Sequence, residues 1–213
     1  VNGRLYPAQI FPTENKHVSY VELAVREKVV SQFRVFDILD MSKPVSATIR
    51  LVGAEKELAV GKNSYLEYGV AGDHFLVEAD AGAQYEVSRM TLAGAPGLVN
   101  VPLLKRDWIN SLYNHGGTPI IQGHGAIVGF IDEQDFEVEL TGYRPGEQMN
   151  ILYFDSEGVP LDTKTGVAGG GFIIFNAPLG LQTIYIHPTQ SRETYAQILV
   201  AEPSYVHVVA WSP

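Results

Sequence analysis

The chain has 213 residues, no cysteine and a formal net charge of −9 at pH 7. The lack of cysteine excludes disulfide scaffolds, thiolate metal sites and cysteine nucleophiles. The negative charge argues against binding to a phosphate backbone, so nucleic acid is not expected as a partner. Because only 18% of the residues are charged, beside 21 glycines and 12 prolines, the composition indicates short strands and many turns.

The sequence contains no apolar run of about 18 residues, so no membrane span is expected. It begins at Val1 without an initiator methionine or a signal-like segment, and we interpret it as a processed or trimmed form. A cysteine-free protein exported to the periplasm, the cell surface or the medium fits this interpretation. A cytosolic location stays open.

The first elements are predicted to be strands. Within residues 1–30, Val21, Leu23 and Val25 alternate with other residues, which favours an N-terminal strand over a helix. This strand either completes its own domain or adds to the sheet edge of a neighbouring subunit. Residues 45–51 alternate between apolar and polar side chains, and the glycine turns at 69–72 and at Gly82 lead into two more strands.

Residues 101–113 are the best helix candidate. Leu104, Trp108, Ile109 and Leu112 fall on one apolar face at helical spacing. The glycine-rich residues 115–119 then predict a linker, and we expect the domain boundary there.

The second half begins with a predicted strand over 127–132. Phe136, Val138 and Leu140 alternate with glutamates, which predicts a half-exposed strand. Pro145-Gly146 predicts a turn. Two more strands, over 196–200 and 205–211, close the chain, and the last is predicted to lie at a sheet edge.

A repeat relates the two halves. Gly-Val-Ala-Gly at 69–72 recurs 97 positions later at 166–169, and in both places Phe and two aliphatic residues follow. A duplicated unit explains this correspondence. It predicts a first β-sandwich over 1–100, a short helix and glycine-rich linker over 101–122, and a second β-sandwich over 123–213.

The first half resembles a known family in four short motifs. They are Val35-Phe36-Asp37, Lys-Pro-Val-Ser-Ala-Thr-Ile-Arg-Leu at 43–51, Asp73-His74-Phe75, and Gly82-x-x-Tyr85. This pattern resembles the carboxypeptidase regulatory-like domain, a transthyretin-like β-sandwich. The second half departs from it, with Gly170 where the turn aspartate would be and the tyrosine shifted to Tyr185.

The resemblance implies an all-β protein of two transthyretin-like or immunoglobulin-like β-sandwich domains. The family has no catalytic residues to carry over to this chain. Its members are usually structural or binding modules attached to other domains, and the resemblance also favours an extracytoplasmic location.

Two glycine motifs suggest enzyme loops, but neither fits. His115-Gly116-Gly117 is similar to an esterase oxyanion loop, yet no serine has the flanks Gly-x-Ser-x-Gly. Residues 123–129 nearly spell a dinucleotide fingerprint, but a strand is predicted after them where the pyrophosphate needs a helix. We interpret both segments as connections.

Metal sites are also weakly indicated. The acidic residues of 132–139 have the ligand type that calcium favours, but a solvated strand face explains them better; they are Asp132, Glu133, Asp135, Glu137 and Glu139. The six histidines, His17, His74, His115, His124, His187 and His207, lack the spacing of a helical zinc site. No catalytic, cofactor-binding or metal residue is therefore predicted, and no cofactor.

Three functions follow as hypotheses. The leading one is a non-enzymatic extracytoplasmic module that forms homo-oligomers, as in a filament, or contacts other surface proteins, with strands at the two termini pairing between subunits. The second is a carbohydrate- or peptide-binding module, for which exposed tyrosines such as Tyr6, Tyr113, Tyr143 and Tyr195 would form a glycan platform. The third is a hydrolase with an inter-domain site at His124, Asp132 and His187.

Overall fold

The computed structural model describes residues 29–52, 57–60, 66–70, 74–93, 97–132, 135–141, 149–191 and 193–211. Strands dominate this part of the chain, so the predicted all-β class is confirmed. The elements of the first half are β1 (Val29–Asp37), β2 (Asp40–Pro44), β3 (Ala47–Leu51), β4 (Glu57–Val60), β5 (Leu66–Val70), β6 (His74–Asp80), β7 (Ser88–Ala93), β8 (Gly97–Leu103) and the helix α1 (Arg106–His115). Those of the second half are β9 (Gly125–Ile131), β10 (Phe136–Leu140), β11 (Ile151–Phe154), β12 (Pro160–Leu161), β13 (Gly171–Ala177), β14 (Gly180–Pro188), β15 (Tyr195–Ala201) and β16 (Val206–Trp211).

A nine-stranded sheet runs through both halves of the chain in the order β12-β11-β13-β9-β16-β7-β6-β3-β4. The C-terminal strand β16 joins the halves, because it pairs in parallel with β9 on one side and with β7 on the other. The prediction that this strand lies at an edge is therefore wrong. Val206, His207, Val208 and Val209 are all buried, and such an unbroken buried run is typical of an interior parallel strand.

Two smaller sheets cover the long one. The first places β1 between β2 and β5, with β8 parallel to β1. The second, which we call the outer sheet, has the order β10-β14-β15 and is antiparallel throughout. Each small sheet packs its apolar side chains against one face of the nine-stranded sheet.

The first apolar core draws on both halves of the chain. It packs Phe33 of β1 and Ile49 of β3 in one cluster with Ile173 of β13 and Val208 of β16, while α1 contributes Leu112. Burial of such side chains is the main favourable term in folding. The division into two independently folding sandwiches stays a prediction.

The second core lies on the opposite face of the nine-stranded sheet, within the second half alone. Ile127, Phe172 and Ile174 of the long sheet pack there against Phe136 and Ile184 of the outer sheet. The strands β9 and β13 are thus buried on both faces.

The helix begins later than predicted. Residues 101–103 belong to β8, where each pairs with a residue of β1, because strand pairing there outweighs a helical apolar pattern. From Arg106 onward the predicted face is correct, since Ile109 and Leu112 are buried. Gly117 has a φ of 60°, which glycine adopts readily, and the predicted connection follows.

The predicted strand alternation is confirmed in β3 and β10, whose residues are alternately buried and exposed. Two details differ: Gly69 lies inside β5, and Tyr85 forms a single bridge with Lys105 before β7 begins at Ser88. The N-terminal strand prediction, apart from Val29 and Val30 in β1, and the Pro145-Gly146 turn lie outside the described residues. In the part of the chain that the structure describes, no helix is long and apolar enough to cross a membrane.

Candidate functional site

Ionisable side chains form a row across four neighbouring strands of the nine-stranded sheet. Arg50 lies opposite Glu78, Glu78 opposite Arg89, and Arg89 opposite His207. Directly opposed residues of adjacent strands have Cβ atoms about 5 Å apart and interact. We call these four residues the charged row; they lie on the face opposite the first core.

Arg89 and Glu78 are the buried centre of the charged row. The Arg89 Nε and Nη2 atoms donate to the Glu78 Oε2 atom at 2.9 and 2.7 Å. The Arg50 Nη1 atom lies 3.1 Å from the other carboxylate oxygen of Glu78. Because buried charges are costly unless paired, these contacts are needed to keep Glu78 in place.

The segment between β15 and β16 adds two further contacts to Arg89. The Arg89 Nη1 atom forms an ion pair with the Glu202 carboxylate. Its guanidinium carbon lies 3.7 Å from the centre of the Tyr205 ring, a cation–π distance. Arg89 belongs to the first half and both partners to the second, so the charged row fastens the halves together.

His207 completes the row as a neutral imidazole. Burial, together with the positive charge of Arg89, lowers the pKa of His207 to about 4. The Nε2 atom accepts a hydrogen bond of 2.9 Å from the backbone N–H of Glu202, so the ring proton is on Nδ1. This histidine holds backbone in place, which is a structural role.

A second buried ionic cluster surrounds Asp37, which is fully buried at the end of β1. Its Oδ2 atom lies 2.7 Å from the Lys105 Nζ atom and accepts the Tyr85 hydroxyl at 3.3 Å. The hydrogen bond to Asp37 raises the pKa of Lys105, and burial raises that of Tyr85. These contacts tie the end of β1 to the residue that precedes α1.

The outer face of the outer sheet is a different kind of surface, exposed and graded from polar to apolar. At its polar end Glu137 lies opposite His187, and Glu139 opposite Tyr185. The rings of Tyr185 and His187 stack with centroids 6.4 Å apart. The His187 Nε2 atom is 3.6 Å from the Glu139 carboxylate.

The apolar end of this face consists of Leu181, Ile198 and Val200, which we call the apolar corner. Their exposed fractions are 72%, 60% and 44%. Leu181 of β14 lies directly opposite Val200 of β15. In the described residues, β15 pairs with β14 alone, so the apolar corner adjoins a sheet edge.

The hydrolase site predicted from His124, Asp132 and His187 is not assembled. His124 precedes β9 and Asp132 follows it. Eight residue steps along a strand separate them by roughly 26 Å, whereas proton transfer needs hydrogen-bond distance. The prediction of that site is wrong because His124 and Asp132 lie at opposite ends of β9.

Two tyrosines predicted to be exposed are instead packed into the protein. Tyr113 is 7% exposed, and its ring centroid lies 4.5 Å from that of Phe175. Tyr195 is partly buried against the second core. Tyr113 thus belongs to the first core and Tyr195 packs against the second, while Tyr6 and Tyr143 lie outside the described residues.

The acidic stretch divides between two environments. Glu137 and Glu139 lie on the exposed face of β10, as predicted. Asp135 accepts the backbone N–H of Ala168 through its carboxylate at 3.3 Å, and Glu133 lies outside the described residues. Within the described ranges no group of three His, Cys, Asp or Glu side chains is placed to hold a metal ion.

Sequence reasoning missed the charged row. Arg50, Glu78 and Arg89 each stand at a position that strand alternation assigns to the face away from the first core. That signal was available in the sequence. The pairing of β7 with β16, which adds His207, has no local signal because it joins residues more than 100 positions apart.

Comparisons with known proteins leave the family open. No family model matches the chain. No curated protein matches it either.

Proposed function

We propose that the chain is a non-enzymatic structural or assembly module of an extracytoplasmic surface. It acts by self-association or by contact with other surface components. The observation that carries this proposal is the apolar corner on the outer sheet, where three aliphatic side chains are exposed beside an edge strand. Clustered exposed apolar side chains mark interaction surfaces more often than scattered ones do.

The way the halves are joined supports the same proposal. A module that transmits contacts between components must hold its two ends in a fixed relation. The central strand β16 and the Arg89 contacts to Glu202 and Tyr205 provide such a connection. The buried side chains of the charged row engage one another, which favours a structural role for them.

Sedimentation velocity over a concentration series tests self-association, with electron microscopy of the largest species. Val200→Asp is the informative variant, because it places a charge in the apolar corner. Val52→Asp is its matched control: it changes the same residue type at the same exposed fraction of 44%, but at the end of β3.

We expect the wild type and Val52→Asp to associate with increasing concentration and Val200→Asp to remain monomeric. A wild type that stays monomeric at every concentration would overturn self-association. Equal association of both variants would overturn the assignment of the apolar corner.

Glycan binding is a second candidate function, favoured by the stacked Tyr185 and His187 rings beside Glu139. Aromatic rings stack on sugar rings, and adjacent carboxylates accept sugar hydroxyls. On a glycan array, Tyr185→Ala is expected to weaken binding roughly tenfold. Thr163→Ala, an exposed change in the segment after β12, should leave it unchanged, and a wild type that binds no glycan would contradict this function.

A further inference from the structure

We propose that β15 pairs in antiparallel fashion with β15 of a second copy of this chain, about a twofold axis at Ile198. The inference rests on the proposed function, since it specifies how self-association occurs. The product would be a continuous six-stranded sheet, with three strands from each copy.

In the part of the chain that the structure describes, β15 has none of the usual protections of an edge strand. Natural edges carry charged residues, proline or bulges that block pairing with other chains. The seven residues of β15 are Tyr-Ala-Gln-Ile-Leu-Val-Ala, without a charge or a proline. Its pairing with β14 runs in unbroken register over all seven residues. This edge therefore offers a regular row of backbone groups to a new strand.

Electrostatics favours the β15 edge for pairing between two copies. Two copies each carry a net charge of −9, so they associate best where each is neutral. If β10, the opposite edge, paired with β10 of a second copy about Val138, Glu137 of one copy would face Glu139 of the other. Like charges in opposed positions repel, which disfavours this pairing. Self-pairing of β15 brings no like charges opposite each other, because Glu202 of one copy would face Thr194 of the other.

The side chains on the exposed face of β15 also fit this register. With Ile198 opposite its own copy, Ala196 lies opposite Val200, and all of these are exposed in a single chain. Leu181, beside Val200 on β14, extends the apolar strip in each copy. Cross-strand aliphatic pairs of this kind each contribute a fraction of a kcal/mol, which adds to the backbone hydrogen bonds.

The small size of the contact limits its strength. One seven-residue edge with the apolar corners beside it falls below the roughly 1,200 Å² of a stable specific interface. The dimer should therefore be weak and reversible, with a dissociation constant in the micromolar range or above. It would become appreciable where the chain is concentrated.

Single cysteines test this pairing cleanly, because the chain has no cysteine of its own. Directly opposed residues of antiparallel strands have Cα atoms about 4.5–5.5 Å apart, within the range of a disulfide. Under mild oxidation Ile198→Cys should form a covalent dimer on a non-reducing gel. Ala196→Cys alone should not form one. Position 196 of one chain would face position 200 of the other, so the two substituted positions would lie four residues, roughly 13 Å, apart.

A mixture of Ala196→Cys and Val200→Cys chains provides the second readout and should give a mixed dimer. Sedimentation velocity of the unmodified chain accompanies both. Oligomers in sedimentation without cross-linking of Ile198→Cys would overturn the β15 pairing and leave self-association standing. Equal cross-linking of Ile198→Cys and Ala196→Cys would overturn the register. A chain that is monomeric at every concentration would overturn both the pairing and the self-association it rests on.

Discussion

The nine-stranded sheet has a first stretch, formed by strands of the first half of the chain, and a second stretch, formed by strands of the second half, which meet at β16. Both stretches contribute apolar side chains to the first core on one face. Their opposite faces differ, because that of the first stretch is charged and that of the second is apolar. In the first half, β3 alternates strictly between buried and exposed residues, and the face away from the core carries the charged row. In the second half, β13 is buried at all but one position. The outer sheet covers only the second stretch.

This difference shows that the second layer decides what a strand can carry. Where the outer sheet packs, both faces of β9 and β13 must be apolar and close-fitting. Where it ends, the same face of the same sheet accommodates Arg50, Glu78 and Arg89. His207 stands at the boundary, in the strand shared by both stretches.

The largest effect is expected at the centre of the charged row. Arg89→Met leaves the buried Glu78 carboxylate with Arg50 alone, and we expect the free energy of unfolding to fall by about 3–5 kcal/mol. Urea denaturation measures this. Arg106→Met is the control, because the Arg106–Glu86 pair is largely exposed and should cost less than about 1 kcal/mol.

A double variant sharpens this result. Adding Glu78→Leu to Arg89→Met removes the carboxylate that would otherwise be stranded, so stability should partly recover. Equal losses in Arg89→Met and Arg106→Met would mean that the face of the first stretch is no different from an ordinary surface.

The boundary between the stretches should respond to pH. The pKa of His207 is about 4 in the fold and about 6.5 in the unfolded chain. Between these values the unfolded state binds the extra proton, so stability falls as the pH drops from about 6.5 to 4. The loss attributable to this group is about 3 kcal/mol.

His207→Gln isolates this contribution from that of the nearby carboxylates, Glu78 and Glu202. Its amide oxygen can accept the Glu202 N–H without titrating. Urea denaturation at pH 7 and pH 4 should show a smaller difference for this variant than for the wild type. An unchanged difference would assign the pH dependence to the carboxylates instead.

The smallest effect concerns the close-packed stretch. A Cβ atom at Gly129 would meet the Phe172 ring of the neighbouring strand, so Gly129→Ala should cost about 2 kcal/mol. Thr48→Val, on the open face of β3, should change stability by less than about 0.5 kcal/mol. Thermal unfolding measures the melting temperatures of both variants. Similar small shifts in the two melting temperatures would show that the second stretch tolerates added side-chain volume as well as the first does.

Much of the local structure was predictable. The alternation of Ala47, Ile49 and Leu51 assigns β3 and its buried face, and Phe136, Val138 and Leu140 do the same for β10, because side-chain direction along a strand has a period of two. The apolar face of α1 was likewise correct, but its start was not, since pairing of β8 with β1 depends on a segment 66 residues away.

The candidate surfaces were predictable only in part. The exposed glutamates of β10 follow from alternation, whereas the apolar corner needs to be seen in three dimensions. Leu181 and Val200 gain significance only because they lie opposite each other beside an edge. The tyrosine platform failed at Tyr113 for the same reason, since nothing in its local sequence reveals the Phe175 ring that covers it.

By itself the sequence determined the strand-rich class and the inward faces of β3 and β10, since these depend on backbone sterics and short-range periodicity. The tertiary structure alone decided that the C-terminal strand lies inside a sheet shared by both halves. It also decided which face stays charged and which edge stays open. Those outcomes depend on pairing between distant segments, whose free energy comes from burial and hydrogen bonds that no short stretch of sequence contains.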